Sequence, residues 1–192
     1  MSIAGLRSVI MPLVVALGVS ALYACGNAPD VDEQAAEADQ HAADTNGTDA
    51  AELATLRQLT AGYTDIAAAQ AAGYTAQITP CWYHGEHGGQ GVHFARTELI
   101  DGTVSLNEPE IVMYEPRADG TQQFLAIEYI VPFAAWDQAQ PPSLLGRDFM
   151  RNERLELWVL HVWLGKENPS GMYADWNPNV TCTHAAESED RA

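Results

Sequence analysis

The 192-residue chain carries 26 acidic and 9 basic side chains, a formal net charge of −17. Gripping phosphates takes Lys and Arg, so this balance excludes nucleic-acid binding. It suits an extracytoplasmic or salty setting and raises the local concentration of cations.

Residues 1–24 read as an export signal. Arg7 supplies a positive start, and the apolar run Val9–Ala24, roughly 16 residues long, suits a signal better than a membrane span. Leu22-Tyr23-Ala24-Cys25 resembles the bacterial lipobox, with Tyr23 bulkier than usual. The resemblance implies cleavage before Cys25, lipidation of its thiol and anchoring to a membrane. Gly26 and Asn27 in place of an aspartate imply the outer membrane, if the cell is Gram-negative. An ordinary secretory signal with an incidental Cys25 is the alternative. Residues 25–48, rich in Ala, Asp, Glu and Gln, read as a disordered acidic spacer. With Cys25 lipidated, Cys81 and Cys182 remain, and outside the cytoplasm they are expected to form a disulfide. A metal or redox pair is the alternative, although no CxxC spacing exists.

One domain is expected over residues 49–184, with an acidic tail at 185–192 that frays. Asp49 and Glu52 suggest a helix start, and Leu53, Leu56, Leu59, Tyr63 and Ile66 form one apolar stripe ending near Gly73. Strands are predicted at 74–79, 91–96, 110–115, 122–131 and 155–164. Pro116–Gly120 supplies the turn of a hairpin. The last strand is apolar on both faces and reads as central and covered on both sides. Residues 132–142 and 165–178 read as long irregular loops. The fold class is α+β: an N-terminal helix packed on a curved, mainly antiparallel sheet, with a closed barrel as the alternative.

Chemistry is expected in two places. His84, Glu86, His87 and His93 fall within a glycine-rich stretch, Cys81–His93, that reads as a loop. The spacing fits no named metal signature, and exposed loop histidines are the plainer reading of His84 and His87. More informative are His93, Glu128 and His161, each set among apolar strand residues where a lone ionisable group is costly to bury. Period-two alternation groups Phe124, Ala126, Glu128 and Ile130 on one face and Leu157, Val159, His161 and Trp163 on another. Should those faces look the same way, two imidazoles and a carboxylate converge into a ligand set for a divalent transition metal: zinc, iron or copper. A buried Glu–His hydrogen bond is the structural alternative. Glu115 is a further candidate member. Tyr114, Trp158 and Trp163 are the expected pocket aromatics, within a larger set that includes Trp136, Tyr173 and Trp176 and that otherwise fills the core.

The segments Gly91–Phe94, Met113–Pro116, Ile127–Tyr129, Leu160–Leu164, Asn168–Gly171 and Trp176–Pro178 resemble a group of exported bacterial proteins of unknown function. The resemblance implies an architecture and no reaction. Three roles stay open: a metal-dependent hydrolase or oxygenase, a binder of a metal ion or small ligand, and a non-catalytic cell-envelope interaction protein whose Trp-rich surface meets a partner.

Overall fold

Leucines three apart on one face produce helix α1 (residues 49–60) in the computed structural model, which describes residues 49–191. The expected signal, Cys25 and spacer lie outside the described residues. Asp49 is itself helical, so the helix does not open on its side chain. The stripe buries Leu56 fully and continues to Ala69, but through a break. The Thr60 hydroxyl turns back onto the Leu56 carbonyl at 2.8 Å, a bond that competes with helix propagation. A 3₁₀ turn follows at Ala61–Thr64. Asp65 is extended, and its carboxylate accepts the Ala67 N–H at 2.9 Å, capping a new helix α2 (Ile66–Ala71). Gly73, at φ +104°, is the stop expected there.

Ten strands follow: β1 (Ala76–Gln77), β2 (Cys81–His84), β3 (Gly88–Ala95), β4 (Ile111–Pro116), β5 (Gln122–Pro132), β6 (Ser143–Leu144), β7 (Arg147–Asp148), β8 (Met150–Asn152), β9 (Leu157–Trp163) and β10 (Ser188–Asp190). The main sheet runs β10-β2-β3-β4-β5-β9-β8, with β1 also on β3; β6 and β7 pair separately. All its pairings are antiparallel except β10 with β2. Among the described residues the sheet curls into a half-barrel with no pairing between β10 and β8, so the fold is α+β and the described strands do not close a barrel.

Alternation gives the sheet two apolar faces. Val92, Phe94, Val112, Tyr114, Ile127, Tyr129, Leu160 and Val162 pack with Leu56, Ala69 and Tyr74 under the helices. Ala95, Ile111, Met113, Ala126, Ile130, Val159 and Trp163 form a second, smaller core on the other face. The register slips in β5, where Met113 pairs with Ala126 but Tyr114 pairs with Phe124. Leu125 is the extra residue, and its carbonyl accepts the N–H groups of Gly165 and Lys166. The bulge turns Phe124 onto the helix side, away from Glu128, against the simple alternation expected.

Three other expectations are revised. The glycine-rich stretch Cys81–His93 is not a loop but a hairpin, β2 and β3, turning at residues 85–87. The last long strand, β9, is not central: only β8 lies beyond it, though Val159–Trp163 are buried. The acidic stretch expected to fray adds β10 beside β2. Cys81 and Cys182 form a disulfide across a separation of 101 residues.

Candidate metal centre

Three strands of the smaller face supply the site, β3 and the adjacent pair β5 and β9, with β4 between β3 and β5. His93 lies on β3, directly across from Met113; Glu128 and His161 are direct partners on β5 and β9. The curl of the sheet brings His93 over β4 toward the other two. His93 Nε2 lies 3.6 Å from Glu128 Oε2, and His161 Nε2 lies 3.5 Å from Glu128 Oε1. Among the described residues this is the one group of three His, Cys, Asp or Glu side chains whose donor atoms all lie within 4.8 Å of one another. All three are buried, the histidines to 1 % exposure and Glu128 to 7 %.

Both imidazoles are buttressed from behind. Between β1 and β2 the chain bends through Pro80, and Thr79 fills the resulting gap beside β3. Its hydroxyl oxygen accepts the His93 N–H at 3.1 Å and lies 2.9 Å from His93 Nδ1. With Nδ1–H donating to that oxygen, the Nε2 lone pair faces Glu128. His161 Nδ1 lies 3.3 Å from Asp175 Oδ1, although the two are not aligned as a hydrogen bond. Asp175 is itself held by Gln90, whose amide donates to its carbonyl at 3.0 Å and to its carboxylate at 3.1 Å. Such carboxylate–histidine pairs orient metal ligands and raise their basicity.

The inward tips remain unsatisfied within the protein. His93 Nε2, Glu128 Oε2 and His161 Nε2 are buried without a hydrogen bond, as is His161 Nδ1 on the Asp175 side. Leaving a buried polar group so costs about 1–3 kcal/mol each. The separations of 3.5 and 3.6 Å are too long for hydrogen bonds. They are close to the roughly 3.3 Å expected between two donors sharing a tetrahedral ion at about 2.0–2.1 Å.

Burial also sets the protonation. Desolvation pushes His93 down to about 3 and lowers His161, which Asp175 partly counters. Desolvation, then the charges of Asp175 and Glu110, pushes Glu128 up to about 8. Without an ion the trio is therefore neutral at pH 7, and a cation would invert that balance by favouring the carboxylate.

No family model matches the chain, and no curated protein or solved structure matches it. The reading of the site therefore rests on the chain's own geometry.

The remaining candidates lie elsewhere. His84 and His87 stack on each other at 4.3 Å at the exposed end of the β2–β3 hairpin, and His84 Nδ1 accepts the Glu86 N–H at 3.1 Å. Glu115 is held by Lys166 Nζ at 2.5 Å and by the Thr181 N–H at 2.8 Å, so it braces a loop rather than joining the trio. Tyr114 lies on the helix side, its hydroxyl donating to the Tyr63 carbonyl at 2.7 Å. Trp158 also packs on that side, against Phe133. Trp163 is the one expected pocket aromatic on the site's face, and its Nε1–H donates to the Ala174 carbonyl. Trp82 stands beside the centre instead, its ring 5.1 Å from that of His93. Thr79 and Asp175 complete the surroundings, each from a segment whose approach only the tertiary fold decides, and Gln90, on β3 with His93, holds Asp175.

Proposed function

We propose that the domain binds one divalent transition-metal ion through His93, Glu128 and His161, as part of an exported protein anchored by a lipid on Cys25. The observation that carries the metal reading is the convergence of buried, unsatisfied donor atoms at spacings too long for hydrogen bonds. Two neutral imidazoles and one carboxylate match the donors that zinc, iron(II) and copper(II) accept. Three protein donors are also the number used by catalytic zinc sites, which keep a position for a non-protein ligand. A bound ion would supply Lewis acidity there, while Thr79 holds the His93 ring and Asp175 stands 3.3 Å behind that of His161.

Reconstitution with zinc, followed by elemental analysis, is expected to give one equivalent per chain. His93→Ala and His161→Ala should each retain less than about a tenth of that. Zinc content that is negligible in the parent, or equal in parent and variants, rules the centre out.

The interaction-protein alternative needs an exposed aromatic patch, but the exposed large hydrophobics among the described residues are Ile78 and Met150, with no Trp among them. Export agrees with the disulfide, since such bonds persist in oxidising compartments. Lipidation predicts that labelled palmitate is incorporated by the parent and not by Cys25→Ser. Equal labelling of both would remove the anchor.

A further inference from the structure

We infer that the cleft beside the proposed centre binds a small carboxylate anion, held by Arg154 and Arg191. This rests on the metal reading above and names the ligand class that such a centre would meet. The cleft measures about 200 Å³ and is lined by Trp82, Trp176, Asn152, Arg154, Arg191 and Asp175, among others. That is below the range of roughly 300–1,000 Å³ usual for larger ligands, so it suits a compact molecule. It adjoins the centre on two sides: the Trp82 ring packs on His93, and Asp175 sits against His161.

Charge selects the sign of the ligand. The chain has only 9 basic side chains against 26 acidic ones, yet two of the arginines face this cleft. Arg191 is fixed: its guanidinium lies 4.1 Å from the Trp82 ring centroid and donates to Glu189 Oε1 at 2.8 Å. Trp82 Nε1–H donates to the other oxygen of Glu189 at 3.1 Å, completing the clamp. Most of the five N–H donors of Arg191 are not engaged by Glu189. Arg154 is looser. It lies 3.8 Å from a Glu189 carboxylate oxygen, beyond hydrogen-bond reach, and its side chain is 63 % exposed.

A divalent ion and two guanidiniums outweigh Glu128, Asp175 and Glu189 by one positive charge. Neither Glu189 nor Asp190 lines the cleft itself; within the lining the two guanidiniums meet one carboxylate, Asp175. A monoanion balances that surplus. The planar guanidinium forks match a carboxylate, and the two indole walls suit an organic anion better than a strongly hydrated phosphate.

The test uses zinc-reconstituted protein and the indole N–H resonances of Trp82 and Trp176, assigned with the single Phe variants. Acetate should shift both saturably, whereas acetamide, its neutral isostere, should not. Arg154→Gln and Arg191→Gln should each weaken acetate by about 10-fold or more. Arg154 is exposed, so its replacement leaves the fold intact even if the Arg191 variant disturbs β10. Equal shifts with acetamide, unchanged affinity in both arginine variants, or tighter binding of inorganic phosphate would overturn the assignment. Zinc retained without any acetate response removes this inference alone; zinc absent from every sample removes the centre and this inference with it.

Discussion

Replacing both Cys81 and Cys182 with alanine is expected to lower unfolding stability by about 4–5 kcal/mol. The bridge closes a loop across 101 residues, and the loss of denatured-chain entropy grows with loop length to about that size. Alanine avoids placing a hydroxyl at Cys81, which is fully buried in the helix-side core. The bond ties β2 to the segment before β10, so its loss should also loosen the parallel β10–β2 pairing and the Arg191–Glu189–Trp82 clamp. Urea unfolding of parent and double variant gives the comparison, with reduced parent protein as a second route to the same state. A change below about 1 kcal/mol would show that the bridge contributes little beyond its own formation.

The two faces of the long strands were readable because the period of a strand is two, and β9 runs without interruption from Leu157 to Trp163. His161 therefore fell on the side expected of it. Glu128 did too, but its neighbour Phe124 did not, because the bulge at Leu125 answers to a distant loop and leaves no mark in the local pattern. The glycines at 88, 89 and 91 imitate a flexible loop, whereas close packing is their reason. A Cβ on Gly88 would lie 2.2 Å from the Asn177 carbonyl oxygen, and one on Gly89 would lie 2.8 Å from Val180 Cγ1. The segment around Asn177 bridges directly onto Gly89, and Gly91 faces the Tyr114 carbonyl of β4, 2.3 Å from where a Cβ would sit. Thr79 and Asp175 leave no mark in the sequence for a related reason: neither has an unusual neighbourhood there, and each gains a role only from what lies across the fold. The segment after β9 reads in sequence as a long irregular loop, and its Trp176 packs beside His84. Its asparagines hold it as well, with Asn168 Nδ2 donating to the Trp176 carbonyl and Asn177 Nδ2 to that of Glu167.

Glu128→Gln should separate a metal centre from a structural Glu–His contact, because the two readings give opposite signs. Burial raises the Glu128 carboxyl from about 4.5 to about 8. A raised carboxyl contributes its full stability below the unfolded value and loses it as pH climbs through the folded one, since only the unfolded chain ionises freely in between. Metal-free parent protein should therefore weaken progressively between about pH 4.5 and 8. His93 acts from the other side: its folded value, lowered from 6.5 to about 3, makes its contribution complete above 6.5 and lost as pH falls toward 3. Glutamine keeps the shape of Glu128 and cannot ionise, so the metal-free variant should exceed the parent by about 1–3 kcal/mol at pH 8 and match it near pH 4. The same change removes the only anionic ligand. Zinc affinity should then fall by more than the roughly 10–100-fold cost of losing an outer-shell partner. Zinc binding to the parent at pH 7 should also release close to one proton, from Glu128, because both imidazoles are already neutral. Calorimetry in buffers of different ionisation enthalpy reads that proton directly. A variant that is less stable than the parent at pH 8 while metal binding is unchanged would make Glu128 a structural partner of the histidines and leave the centre without its charge.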